Sequence, residues 1–316
     1  MPQKTVSSVI GRFAPSPTGP LHFGSLVTAI GSYCLARKAS GRWRVRIEDL
    51  DTPRVIPGAG AEILRTLEGL GLEWDGEVVY QSRGADRYLS ALEHLRRQGL
   101  VFDCGCSRRE ILASAPHAGE EGSVYPGTCR QGIQAGRRPR ALRIRVPDKV
   151  IRFTDGIFGP VAQCLAGTVG DFVLRRADGL FAYQLAVVVD DADMGINQVV
   201  RGKDLLPSTC RQVYLNACMG YAVPHYIHLP LALTADGEKI SKRHGPAGDG
   251  MAGAGGDLIW RALRFLGQAP PGELRELKPR EVLAWGVAHF DLGSIPLESK
   301  RVEEGWASVV GGQGKR

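Results

Sequence analysis

Arg12-Phe13-Ala14-Pro15-Ser16-Pro17-Thr18-Gly19-Pro20-Leu21-His22-Phe23-Gly24-Ser25 decides how the rest of the chain is read. A short strand-like run, Val6 to Ile10, precedes it, and an apolar segment without proline, Leu26 to Ala36, follows. That order predicts strand, tight loop, helix. Prolines hold the loop extended, and two glycines let its backbone come close to a ligand. A helix starting here offers free backbone N–H groups to an anion such as a phosphate. Arg12 and His22 bracket the loop. Taken alone, His22-Phe23-Gly24 describes a rigid βα turn with a surface histidine; only the longer context lifts it above that.

Outward from this stretch, strand and helix alternate. Trp43 to Ile47 is a strand that runs into the acidic cluster Glu48-Asp49-Leu50-Asp51, at the carboxyl end where ligands gather in open α/β sheets. A helix is expected from about Ala59 to Leu70, a strand at Val78 to Tyr80, and an amphipathic helix from Arg83 to Arg97, closed by Gly99. Leu100 to Phe102 reads as another strand. This rhythm predicts a parallel sheet with helices on its faces. From Asp103 to about Gly167 the rhythm breaks, and that region reads as an insertion. The alternation resumes with Asp171 to Arg175 and Phe181 to Val189, followed by a helix from Leu205 to Met219 and a strand from Leu229 to Leu233. Gly245 to Gly256 is glycine-rich and expected to be mobile, and Asp257 to Leu266 and Arg280 to Phe290 are expected helices. Four regions follow: residues 1–103 and 168–244 as halves of a catalytic domain, 104–167 as the insertion, and 245–316 as a glycine-rich segment with a short helical part.

The 316 residues allow about two domains and a substantial core. A formal charge of +7 favours a polyanionic partner such as nucleic acid. No segment approaches the length of a membrane span, and Met-Pro-Gln-Lys lacks an apolar signal core, so a cytoplasmic address is expected. Seven scattered cysteines do not form a disulfide framework. Cys104, Cys106 and Cys129 are spaced as loop ligands for zinc and need a fourth partner. His117, in the same loop, is the conventional one. The string Gly248-Asp249-Gly250-Met251-Ala252-Gly253 fits G-x-G-x-x-G but follows no strand and opens no βαβ unit, so a dinucleotide site is rejected.

Lys239-Ile240-Ser241-Lys242-Arg243 is a cationic loop suited to polyphosphate. Together with the opening stretch it resembles the paired ATP signatures of class I aminoacyl-tRNA synthetases, in the expected order. Further segments resemble the glutamate branch: Arg46-Ile47-Glu48-Asp49-Leu50-Asp51, Phe181 to Ala186 with Asp190-Asp191, and Val200-Arg201-Gly202. The resemblance covers most of residues 9–243. It implies a Rossmann-like α/β catalytic domain with an inserted zinc-containing domain. It also implies that L-glutamate is held by Arg12, Ser16, Glu48, Tyr183 and Arg201. ATP, with Mg²⁺, would be held by His22, Gly24, Ser25, Lys239, Ser241 and Lys242, and His22, Lys239 and Lys242 would be catalytic. The family's fourth zinc ligand, a tyrosine, falls on Tyr125, so Tyr125 and His117 both stay open. Asp190 and Asp191 are read as a capping or turn pair.

Ser25 replaces the second histidine of the first signature, and only 73 residues follow Arg243, too few for a large anticodon-binding domain. Both features resemble the short branch that moves glutamate onto queuosine in tRNA(Asp). A monomer is expected. A compact synthetase charging the tRNA 3′ end is the alternative, and a catalytically silent RNA-binding zinc protein a weaker one. No G-x-x-x-x-G-K-[ST] phosphate loop points to a kinase.

Overall fold

The computed structural model describes residues 8–114, 118–119, 122–240 and 251–302. The chain begins with β1 (Ile10–Phe13), α1 (Phe23–Lys38), β2 (Arg42–Ile47), α2 (Ala59–Gly69), β3 (Val79–Tyr80) and α3 (Ala85–Arg97). Its middle holds β4 (Val101–Cys104), α4 (Arg108–Ser114), β5 (Ala118–Gly119), β6 (Gly122–Ser123) and β7 (Ala141–Ile144). β8 (Val150–Asp155), β9 (Gly159–Cys164), α5 (Leu165–Thr168) and β10 (Val173–Arg175) complete that part. α6 (Tyr183–Asp193), β11 (Gln198–Gly202), α7 (Leu206–Met219), β12 (His225–Leu229) and β13 (Ala232–Leu233) follow. α8 (Met251–Phe265), α9 (Pro279–His289) and β14 (Lys300–Arg301) come last.

The main sheet has the order β12-β11-β1-β2-β3, and all its pairings are parallel. The chain winds outward from β1 through β2 to β3, then returns to the other side of β1 as β11 and β12. The order therefore reverses between β1 and β11, and a crevice opens there at the carboxyl ends of the strands. The first strand lies later than the sequence suggested, at Ile10–Phe13; Val6 is outside the described residues. Its end is set by Pro15 and Pro17, which lack the N–H a ladder needs.

α1 is apolar nearly all round because both its sides are covered. One side lies on the sheet, where Gly31 comes close to Leu229, and the other meets α8 and α9. Ile259, Leu263, Leu266, Val282 and Leu283 thus join Leu26, Ile30 and Trp43 in one core. The expected helices after residue 256 are present, but as part of the main core. The stretch expected to be mobile is corrected in part: residues 251–256 are helical, while 245–250 lie outside the described residues. Gly256 explains the choice of residue, since a Cβ there would sit 2.1 Å from the carbonyl oxygen of Leu277.

Two further expectations are corrected. Leu100–Phe102 and Asp171–Arg175 do not extend the parallel sheet; β4 and β10 flank β7 in a separate antiparallel sheet. Phe181–Val189, expected as part of the resumed alternation without a type, lies largely in the helix α6 over Tyr183–Asp193. α6, α3 and α7 share a second core with Ile144, Val146, Leu165 and Leu174. Phe153 and Val213, packed against it, also touch a small cluster on the main sheet that holds Val199 of β11 and Tyr226 of β12. The hairpin β8–β9 also docks there, with Gly156 N–H donating to the Tyr226 carbonyl of β12 at 2.9 Å.

Candidate active site

The crevice between β1 and β11 collects charge. Arg12 comes from β1, Arg46 and Glu48 from the end of β2, Arg201 from β11 and Tyr183 from the first turn of α6. The Glu48 amide donates to the Pro15 carbonyl at 2.9 Å, which fixes the Pro15–Thr18 loop, and Ser16 with it, against the end of β2.

The two guanidiniums nearest the sheet are neutralised by protein. Arg12 Nε donates to Asp191 Oδ1 at 3.2 Å, and Arg46 Nη1 donates to the same oxygen at 2.6 Å. Arg46 Nη2 reaches Glu48 Oε1 at 3.1 Å. Asp190 accepts from Gln81 at 2.8 Å, Arg87 at 3.1 Å and the Tyr88 hydroxyl at 2.7 Å. Asp190 and Asp191 are therefore corrected from a capping or turn pair to buried anions that hold three arginines. The available sequence signal was two adjacent carboxylates inside an otherwise apolar helical run, which burial permits only when cations meet them.

Two groups in the crevice remain undercompensated. Burial would raise the Asp191 pKa, yet Arg12 and Arg46 outweigh it and hold Asp191 below the usual carboxylate range. Glu48 goes the other way: burial raises its pKa, and the opposing pull of Arg46 and Arg12 does not cancel that. Arg201, 3% exposed, meets only neutral acceptors. These are His228 Nε2 at 3.0 Å, Gln212 Oε1 at 2.7 Å, Thr209 Oγ1 at 2.8 Å, and the Tyr183 hydroxyl and Leu205 carbonyl at 3.5 Å. Burial raises the Tyr183 pKa against the pull of Arg201, so it stays a neutral phenol. A carboxylate without enough cation and a guanidinium without an anion suit a ligand carrying an ammonium and carboxylates. Sequence reasoning missed the network behind Arg201. Its one visible sign was His228, placed in the apolar run from Tyr226 to Leu233.

His22 is the N-cap of α1, its Nδ1 accepting from the Ser25 amide at 3.3 Å. A neutral His22 then carries its proton on Nε2, a donor for a phosphoryl oxygen. A Cβ at Gly24 would lie 3.2 Å from the His22 ring, close enough to press on it. Lys239 is exposed and pairs with Asp204. Its neighbour Ile240 donates to the Ala232 carbonyl at 2.9 Å, and Ala232 also lines Gly24, so the two basic signatures converge. Ser241 and Lys242 lie outside the described residues, as does His117.

Cys104, Cys106 and Cys129 place their sulfurs within 4.8 Å of one another. The Tyr125 hydroxyl is 3.5 Å from Cys104 Sγ and accepts from the Cys129 amide at 2.8 Å. A tetrahedral zinc with Zn–S of about 2.3 Å and Zn–O of about 2.0 Å spans about 3.5 Å between sulfur and oxygen, so this donor set fits. Burial would raise the Cys104 pKa, but hydrogen bonds from Tyr125 and the Cys106 amide, with Arg143, hold it below the usual thiol range. Arg143 also lies 3.9 Å over the Tyr125 ring.

Among the described residues no helix is long and apolar enough to cross a membrane. A cleft of about 310 Å³ opens between the antiparallel sheet and the segment after β10. Arg96, Arg140, Arg175, Arg176 and Asp103 line it. Arg176 donates to Asp51 at 3.2 Å, which joins this cleft to the end of the acidic segment after β2.

Residues 8–273 match the model of the class I tRNA synthetase catalytic domain for glutamate and glutamine. A glutamyl-Q tRNA(Asp) synthetase of Geobacter sulfurreducens is 52% identical over 94% of this chain and 96% of its own length. One from Dechloromonas aromatica is 55% identical over 92% of this chain and 96% of its own. A solved glutamate tRNA ligase of Elizabethkingia meningosepticum, in complex with its amino acid, superposes with a TM-score of 0.79. It is 27% identical, covering 95% of this chain and 68% of that one.

Proposed function

Because this chain belongs to the glutamyl-Q tRNA(Asp) synthetases, ligases of the class I glutamate and glutamine family, we propose that it activates L-glutamate with ATP and transfers it to queuosine of tRNA(Asp). The observation that carries this reading is the pairing of an undercompensated Glu48 with Arg201, whose partners are all neutral. Glu48 takes the ammonium of glutamate. Arg201, with Tyr183 beside it, takes a carboxylate; Arg12 and Ser16 close the other side.

The α-carboxylate attacks the α-phosphate of ATP, forming the glutamyl–phosphate bond and releasing pyrophosphate. Negative charge builds on the phosphoryl oxygens and on the leaving group, and fixed donors aimed there lower the barrier. His22 Nε2 supplies one such donor at the start of α1, beside Gly24 and Ser25. Lys239 and Lys242 supply the cations, once Lys239 exchanges Asp204 for phosphate, and Ser241 adds a hydroxyl donor. Mg²⁺ bound to ATP would share the polyphosphate charge that Lys239 and Lys242 face. A hydroxyl of queuosine then attacks the adenylate carbonyl and AMP leaves. Cys104, Cys106, Cys129 and Tyr125 would hold a structural zinc that pins the inserted loop. The basic cleft near Arg176 favours RNA entering from the side of the antiparallel sheet.

Glutamate-dependent exchange between pyrophosphate and ATP, measured without RNA, tests the activation step. Labelled glutamate should then appear on an anticodon stem-loop that carries queuosine and lacks a 3′ acceptor end. Exchange that starts only on adding tRNA, with label on the terminal ribose, would replace this reading by a compact charging enzyme. Silence in both assays would leave a binding protein.

A further inference from the structure

We infer that Asp155 and His228 are positioning residues that aim the Arg201 guanidinium from behind while leaving its charge for the substrate. The inference rests on the reading that Arg201 binds a glutamate carboxylate. It starts from donor bookkeeping. A guanidinium has five N–H donors and no acceptor. Arg201 Nε lies 3.0 Å from His228 Nε2, so that nitrogen must present its lone pair. The proton of the neutral ring therefore sits on Nδ1, 2.6 Å from Asp155 Oδ2. Asp155 cannot pivot away. Its other oxygen accepts from the Ile157 and Phe158 amides, both at 3.0 Å, in the turn that closes hairpin β8–β9. All three side chains are buried.

The groups facing this relay agree on one protonation state. Burial lowers the His228 pKa; Asp155 opposes that, and the charge of Arg201 lowers it further. Thr209 Oγ1, 3.2 Å from His228 Nε2, and the stacked Tyr226 ring complete the ring's surroundings. A second proton would set an N–H against the Arg201 N–H. Burial would raise the Asp155 pKa, but the bonds from His228 and the two amides hold it low.

The choice of a neutral imidazole has a consequence. Arg12 and Arg46 are held directly by Asp191, which offsets most of their charge and leaves Arg12 only its remaining N–H donors for a ligand. A carboxylate on Arg201 would do the same and compete with the substrate. Placing the carboxylate one residue further back fixes the tautomer and the angle of the guanidinium without neutralising it, as outer partners do for metal-bound histidines. The anchor lies on the hairpin of the inserted region, so that hairpin and the amino-acid pocket share one hydrogen-bonded chain.

The test uses RNA-free exchange kinetics of the full chain. Asp155→Asn is nearly isosteric, but its NH2 group facing Nδ1 would drive the ring to the other tautomer. His228→Ala leaves Arg201 Nε without its acceptor. Both should raise the KM for glutamate tenfold or more and change the KM for ATP less than twofold. His228→Gln, whose amide oxygen can stand where Nε2 stands, should recover to within about threefold of wild type. Equal rises in both KM values, no rise in folded Asp155→Asn, or a Gln variant as poor as Ala would overturn the relay. Should the variants not fold, ¹⁵N NMR of the histidine-labelled wild-type chain decides: His228 protonated on Nδ1 supports it, and protonation on Nε2 or on both overturns it. Absence of glutamate-dependent exchange in the wild type would instead sink the proposed function, leaving the tautomer result to judge the relay by itself.

Discussion

Glu48 and Asp191 occupy the same buried network and should answer substitution in opposite ways. The folded pKa of Glu48 lies above its ordinary value. Its contribution therefore favours the fold below about pH 4.5 and is lost as pH rises through the folded value. At pH 7 the ionised group costs stability. Glu48→Gln keeps an oxygen for Arg46 and removes that cost, so its Tm should equal or exceed wild type. The same change should raise the KM for glutamate about 10- to 100-fold, the worth of a hydrogen bond to a charged group. A lower Tm with an unchanged KM would reverse the assignment. Asp191 has a depressed pKa. Its contribution is present above about pH 4 and lost as pH falls through the folded value. Asp191→Asn strands Arg12 and Arg46, and should lower unfolding free energy by about 3–5 kcal/mol in urea titrations at pH 7. The sequence already set Glu48 apart from the Asp190–Asp191 pair through the resemblance, but that pair read as a cap or turn. The partners that the fold brings in, Arg12 and Arg46, show Asp191 to be the buried counter-charge of two guanidiniums.

Whole elements were more legible where periodicity spoke and less so where burial erased it. α3 and α7 were expected close to where they lie, and the strand–loop–helix around His22 could be read from its prolines and glycines. α6 could not: Phe181 to Val189 is apolar on every side, and a fully buried helix has no period to distinguish it from a buried strand. Only the start of α8, residues 251–256, hid, because glycines that serve close packing look like glycines that serve mobility. The three-cysteine cluster was visible as spacing alone, since thiols at C-x-C need no fold to be recognised. The fourth position stayed open between Tyr125 and His117; the fold places the Tyr125 hydroxyl 3.5 Å from Cys104, and His117 lies outside the described residues. Chelation of zinc should therefore loosen this element and spare the crevice. We expect amide protection across residues 101–144 to fall at least tenfold after chelation, while RNA-free exchange keeps more than half its rate. Parallel loss of exchange and protection would mean that the loop supports the catalytic sheet as well. On the other basic signature, Lys239 pairs with Asp204 at the surface, a contact worth at most about 1 kcal/mol. Lys239→Ala should thus slow exchange at least tenfold with a Tm within two or three degrees of wild type; a normal rate would remove it from the phosphate site.

One core lies under α1, α8 and α9 with the main sheet, and another under α3, α6 and α7, linked to β11 and β12 through Phe153 and Val213. In the crevice, Arg12 and Arg46 are paired with Asp191, and Arg46 also with Glu48, so most of the chain's excess positive charge lies outside it. The cleft beside the antiparallel sheet is one such place. Arg96 and Arg140 are exposed there, whereas Arg176 is already tied to Asp51 and Asp178. Only the first two are thus available to phosphates without giving up a partner of their own. An Arg96→Ala/Arg140→Ala chain should bind queuosine-bearing RNA more weakly in proportion to the phosphates released. Each contact contributes about 0.7 to 0.9 to the slope of log affinity against log salt, so the slope should fall by about 1.4 to 1.8. Neither residue touches the crevice, and RNA-free exchange should be unchanged. Fluorescence anisotropy of a labelled anticodon stem-loop across a salt series measures the slope. An unchanged slope would show that the RNA approaches over another face, and that the arginines at this cleft serve only solubility.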